Sequence, residues 1–148
     1  MLHNKTIEIS STQQALTDFS QLTKFRLSLS VVISSIAGYF LAIDSVDYST
    51  LLLLVLGGYS MVGASNVFNQ IFEKDLDKKM HRTQSRPLPD GRLNSKTAMF
   101  IGVVLTLIGV ILLYAINIKT AFFASISTFL YACLYTPLKQ RTPLCVFI

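Results

Sequence analysis

Apolar residues in this chain are gathered into long runs, and the polar residues fall between them. The runs are close to the roughly 20 residues needed to cross a bilayer as a helix, and they predict membrane spans. The first covers residues 25–43; at about 1.5 Å per residue it reaches roughly 28 Å, near the hydrocarbon thickness. Arg26 at its start can snorkel to the interface. A short acidic loop with Asp44 and Asp47 leads to a second span over residues 48–68. Gly57, Gly58 and Gly63 along it would let a neighbouring helix approach, or are ordinary transmembrane glycines. Asn94 or Ser95 is the expected N-cap of a third span over residues 97–118, followed by a tight turn at 117–120. The fourth covers residues 121–134 or 135, extending as far as Leu138. After the basic turn of Lys139, Gln140 and Arg141, residues 143–148 begin another apolar run too short to cross. The expectation is an all-α, polytopic membrane bundle of four transmembrane helices plus the start of a fifth, from the front part of a longer protein.

Composition supports this division. The chain is 51% hydrophobic and 14% charged, against about 25% charged in a soluble domain. The net charge of +5 does not indicate nucleic acid, because the bases flank apolar segments and form no basic domain. Twelve of the thirteen bases lie on one side of the predicted spans, and only Lys119 lies opposite. The positive-inside rule therefore puts the N-terminus and the central loop, residues 69–96, in the cytoplasm. Residues 1–22 form a polar N-terminal tail without the h-region or cleavage site of a signal peptide, and residues 23–148 form the transmembrane domain. Cys133 and Cys145 lack metal-ligand spacing and are expected to be small buried hydrophobes.

The polar interruption after the second span carries the chemistry. Glu73, Asp75 and Asp77 lie among five bases, and ionisable groups at a membrane edge are by default a functional-site hypothesis. Asn69, Glu73 and Asp77 recur every four residues; if the helix continues, they line one stripe. Oxygen ligands at that spacing suit Mg²⁺, which takes one or two carboxylates and completes its shell with water and substrate phosphate. Asp75 would point nearly opposite. Arg82 and Arg86 follow, and guanidinium forks match phosphate oxygens. The run from Pro87 to Gly91 would make a stiff turn closing over such a site. Tyr135 and Lys139 share a face of a helix end and could reach the same phosphate. Each feature has a plainer reading: the bases as topology signals, the acids as charge balance, Tyr135 and Lys139 as interfacial anchors. A calcium loop starting at Glu73 fails, because it lacks the glycine at the sixth position and the glutamate at the twelfth. His81 is a lone histidine in a charged loop that could ligate haem or metal; placement at the surface is the plainer reading.

At these residues the chain resembles the intramembrane prenyltransferase family typified by 4-hydroxybenzoate polyprenyltransferase. The family pattern Asn-Asp-x-x-Asp-x-x-x-Asp is matched by Asn69-Gln70-Ile71-Phe72-Glu73-Lys74-Asp75-Leu76-Asp77. Its Arg-Pro-x-x-x-Gly is matched by Arg86 to Gly91, and its Tyr-x-x-x-Lys by Tyr135 and Lys139. Gln70 and Glu73 replace two family aspartates. Those departures resemble the protohaem IX farnesyltransferase branch, as do Leu22-Thr23-Lys24-Phe25-Arg26, Met80-His81-Arg82-Thr83 and the run from Tyr135 to Pro143. Phe25 stands where the branch commonly has Pro. The resemblance implies nine helices around a central cavity in a bacterial-type plasma membrane, with a second acidic motif outside this sequence. It implies that Asn69, Glu73 and Asp77 hold Mg²⁺–diphosphate and act in catalysis, and that Arg86, Tyr135 and Lys139 help bind diphosphate. Arg82 is added on charge and spacing.

The implied reaction transfers farnesyl from farnesyl diphosphate to a vinyl group of haem b, a substrate and not a cofactor, giving haem O. Implied partners are membrane lipid and haem A synthase or oxidase assembly proteins, and no nucleic acid. Two alternatives stand beside it: a related prenyltransferase with a phenolic or quinone-precursor acceptor, and a non-catalytic scaffold binding anionic lipid.

Overall fold

A computed structural model describes residues 2–139, with side-chain surroundings from residue 12 onward. The described elements are all helical. They are α1 (Leu2–Leu22), α2 (Phe25–Ala42), α3 (Tyr48–Asp77), α4 (Ser95–Ile116), α5 (Ile118–Phe129), a π-helical turn (Leu130–Tyr135) and α6 (Thr136–Lys139). Four stretches are long and apolar enough to cross a membrane: Phe25–Ala42, Tyr48–Asp77, Ser95–Ile116 and Ile118–Lys139. The all-α membrane bundle expected from the apolar runs is thus present. The start of a fifth span, together with Gln140, Arg141 and Cys145, lies outside the described residues.

α3 is the hub, packed against α2, α4 and α5. Its start is fixed by Asp47, whose carboxylate accepts from the Ser49 and Thr50 amides at 3.1 Å each. The Thr50 hydroxyl first, then those two amides, hold the Asp47 carboxyl below its usual range. At 30 residues α3 is about 45 Å long. That exceeds a hydrocarbon core of roughly 30 Å, so its last turns carry polar side chains out of the apolar zone. α2 lies within that zone, and its Ser30, Ser34 and Ser35 hydroxyls donate to backbone carbonyls four residues back. Polar groups facing lipid are satisfied internally in this way.

The close contact of α3 with α4 depends on missing side chains. A Cβ on Gly109 would lie 2.6 Å from Met61 Cγ and 3.1 Å from the Gly57 carbonyl oxygen, and one on Gly57 would lie 2.9 Å from Leu113 Cγ. Of the three glycines noted in the second span, Gly57 is the one that requires this close approach; Gly58 and Gly63 have room for a Cβ.

The polar tail is helical over Leu2–Leu22. Two local structures differ from the sequence expectation. The turn between third and fourth spans is a single residue, Asn117, whose amide caps α4 while its side chain accepts from Lys119 N at 2.8 Å to start α5. Cys133, expected to be buried, is exposed and lines an apolar groove beside Phe68 and Phe129.

Candidate active site

The stripe begins inside α3 and ends at its last residue. Asn69 and Asp77 are buried and Glu73 is half-buried, while Asp75 is exposed. With four residues making slightly more than one turn, the three side chains face one cleft of about 300 Å³. Asn69 Nδ2 donates to Glu73 Oε2 at 2.9 Å, and the Thr136 hydroxyl donates to Asn69 Oδ1 at 3.0 Å. Lys139 Nζ pairs with Glu73 Oε1 at 3.3 Å, and Arg86 Nη1 with Asp77 Oδ2 at 2.8 Å. Every carboxylate on the stripe therefore already faces a cation from another part of the chain.

The segment after α3 is folded, not loose. The Thr83 hydroxyl donates to the Asp77 carbonyl at 3.0 Å, and Leu93 N donates to the Pro87 carbonyl at 2.9 Å. Leu88 is fully buried with Leu22, Val67 and Ala98. Gly91 takes φ +83, a left-handed conformation that glycine adopts freely. The Pro87–Gly91 turn does not close over the cleft. Burial of Pro87, Leu88 and Pro89 draws it against the bundle, and its effect on the site is to fix Arg86 beside Asp77.

Four cations line the cleft: Lys24, Arg82, Arg86 and Lys139. Arg82 is exposed at its rim. By sequence alone Lys24 is a base at the membrane edge within the Leu22–Arg26 stretch, with no role in the site assigned to it. It sits in the turn between α1 and α2 with φ 49 and ψ 57, and no local signal marks that placement. Its amine is held below the usual lysine range, first by burial and next by the Arg86 guanidinium.

Tyr135 does not line the cleft; Tyr131 does. The reason is the π-helical turn, in which Thr136 N bonds to the carbonyl of Tyr131, five residues back. The widened turn sets Tyr135 behind Tyr131, with the rings stacked at 5.5 Å and 14°. π-bulges often occur where a helix must re-aim side chains at a site. Tyr131 also lines a second cavity of about 530 Å³, walled by apolar side chains such as Leu27, Val31, Leu54 and Met61. The polar cleft and the apolar cavity thus meet at one aromatic ring.

The donor set can be tested against a metal. Among the described residues no three Asp, Glu, His or Cys side chains converge, so these residues offer no closed all-protein cage. Two carboxylates and one carboxamide facing the same cleft are hard oxygen donors of the kind that hold Mg²⁺ together with substrate oxygens. Turning the Asn69 amide over would put Oδ1 where Nδ2 now meets Glu73. Nδ2 would then face Thr136 Oγ1, which can accept that bond while donating to the Tyr131 carbonyl at 2.8 Å. The residues therefore fit the ion.

Comparison with known proteins finds similar sequences over most of the chain. The protoheme IX farnesyltransferase of Christiangramia forsetii is 55% identical over 133 residues, covering 90% of this chain and 44% of the relative. That of Flavobacterium psychrophilum is 54% identical, covering 88% and 45%. That of Anaeromyxobacter dehalogenans is 37% identical, covering 90% and 45%. The chain spans a little under half the length of these curated relatives. No solved structure matches it. The profile of the UbiA prenyltransferase family matches residues 31–148. With four membrane-length helices and this match, the chain is an integral membrane protein that belongs to the UbiA prenyltransferase family.

Proposed function

We propose that this chain supplies a metal–diphosphate site and part of the prenyl cavity of a protohaem IX farnesyltransferase. The observation that carries the reading is the junction at Tyr131. A cleft with four cations and two carboxylates opens there beside an apolar cavity. That pairing is complementary to an amphiphile with a diphosphate head and a hydrocarbon tail. The volume of the apolar part falls in the ~300–1,000 Å³ range of small-molecule sites. The names of the similar proteins supply the acceptor, haem b, and the donor, a farnesyl group.

In this reading Lys24, Arg82, Arg86 and Lys139 gather the diphosphate oxygens, while Asn69, Glu73 and Asp77 would hold Mg²⁺. The bound ion would act as a Lewis acid on those oxygens. When the C1–O bond breaks, its electron pair leaves with the diphosphate. The fixed cations stabilise that growing charge in a site of low dielectric. The apolar cavity keeps water from the allylic cation until the vinyl π-electrons of haem form the new C–C bond. The positive charge then left on the acceptor is discharged when water adds through its oxygen and gives up a proton to the released diphosphate or to solvent, leaving the hydroxyl of haem O. By the same reading the N-terminus and the motif loop face the cytoplasm of a bacterial plasma membrane, as the distribution of bases suggests. A haem A synthase or an oxidase assembly protein would receive the product.

The test is to incubate membranes containing the protein with farnesyl diphosphate and Mg²⁺, offering either haem b or 4-hydroxybenzoate. Farnesylated haem is expected; farnesylation of the phenol alone overturns the haem assignment.

A further inference from the structure

Gln70 belongs to the polar stretch of α3 but turns away from the cleft. Its side chain is fully buried, and Nε2 donates to two backbone carbonyls, Gln21 O at 2.9 Å and Leu22 O at 2.7 Å. One helical turn earlier, Asn66 Nδ2 donates to the next carbonyl, Thr23 O, at 3.3 Å and to Ser28 Oγ at 3.2 Å. The Tyr59 hydroxyl lies 3.2 Å from Thr23 Oγ1. Three consecutive carbonyls, the last two of α1 and that of Thr23, are thus engaged by two amides of α3; Lys24 N also reaches Gln21 O at 3.3 Å, and Ser28 Oγ donates to Thr23 O at 2.8 Å. The residue that follows is Lys24, the one non-glycine residue with positive φ among those described. A left-handed conformation is unfavourable for a residue with a Cβ, and it persists where surroundings over-determine it. Lys24 lines the cleft, makes no ion pair among the described residues, and lies among other cations. The free protein therefore holds a strained backbone at a residue whose amine feels Arg86 and Lys139 as well as Glu73 and Asp77 and is committed to none of them as an ion pair among the described residues.

We propose that Asn66 and Gln70 are positioning residues whose amides set the α1–α2 turn, so that Lys24 enters the cleft as a further ligand for the diphosphate. This rests on the diphosphate reading of the cleft. An amide nitrogen carries two hydrogens and serves two carbonyls at once, whereas a carboxylate only accepts and would be repelled by them. The replacement of the family's Asp by Gln70 thereby gains a physical reason: this position supports the turn and is not a metal ligand.

The test measures binding of Mg²⁺ with inorganic diphosphate to the whole chain in lipid nanodiscs, together with its thermal midpoint. Lys24→Gly keeps the left-handed backbone and removes the amine. It is expected to leave the midpoint unchanged or raised while affinity falls about tenfold or more, the loss of one charge-assisted bond. Gln70→Met keeps the volume without the donor and is expected to lower affinity similarly, but to add nothing in a Lys24→Gly background. If Gln70→Met does not fold, Asn66→Leu carries the same expectation, because Ser28 Oγ still donates to Thr23 O at 2.8 Å. Wild-type affinity in Lys24→Gly, or losses that add in full, overturns the positioning role. A wild-type protein that binds no diphosphate overturns the reading of the cleft itself.

Discussion

Lys139 Nζ stands 3.3 Å from Glu73 Oε1 although 66 positions separate the two residues. The pair closes the candidate cleft between α3 and the end of the fourth span. Lys139 is half-exposed, so the bond adds little stability, about 0–1 kcal/mol. Its value is positional: a divalent ion at Glu73 would release Lys139 to the diphosphate oxygens that arrive with it.

Glu73→Gln removes the charge but retains an acceptor for Asn69 Nδ2. Farnesyl transfer is expected to fall by about 10²-fold or more, in the range for losing one preorganised electrostatic group. Initial rates in membranes at saturating donor measure this. Undiminished transfer would instead favour the reading of the loop as an anionic-lipid scaffold.

Thr136→Val keeps the shape of a fully buried side chain and removes its hydroxyl. Asn69 then loses the partner that orients its amide. The Mg²⁺ concentration for half-maximal activity is expected to rise about 10–100-fold, as for the loss of other groups that orient metal ligands. Thr136→Ser should restore it. A titration of activity against Mg²⁺ separates this from a general loss of fold.

Gly109→Ala would drive a Cβ against Met61 and the Gly57 carbonyl. Met61 can yield and a backbone carbonyl cannot, so destabilisation of about 1–3 kcal/mol is expected. Gly38, where an added Cβ would meet nothing within 4 Å, is the control: Gly38→Ala should be neutral or stabilising. Reversible unfolding in detergent compares the two.

The lowered Lys24 pKa fixes the sign of a pH effect. Burial and Arg86 disfavour its charged form, opposed by Glu73 and Asp77 and reinforced by Lys139. The unfolded chain therefore holds this proton more tightly. Native stability should rise with pH from the folded value of Lys24 up to its ordinary value of 10.5. Diphosphate needs the protonated amine, so its affinity should decline at a pH below the ordinary lysine range. Lys24→Arg, always charged, should move that decline upward. Calorimetric titrations across alkaline pH test both directions.

The spans were legible because lipid-facing helices need apolar residues nearly everywhere, and no tertiary detail is required to see them. The stripe at Asn69, Glu73 and Asp77 was legible too, since helical spacing alone aligns it once α3 continues past the membrane. What holds the α1–α2 turn was less visible, because Asn66 and Gln70 look like ordinary polar residues until the carbonyls they hold are brought from 43 to 49 positions away. Lys24 was hidden for the same reason: its positive φ is imposed from α3, not encoded by a glycine or asparagine. Tyr131 was missed because an α-helical count from Lys139 selects Tyr135, and only the π-turn changes the count.

That π-turn also sets an angular phase. A helix advances about 100° per residue, so one residue accommodated in a wider turn changes the heading of everything beyond it by that amount. Thr136 and Lys139 owe their bearing toward α3 to this offset, while the apolar face of α5 before it keeps its own bearing toward the membrane interior. The fourth span is in effect two helices sharing an axis but out of step, one timed to lipid and hydrocarbon, the other to the polar cleft.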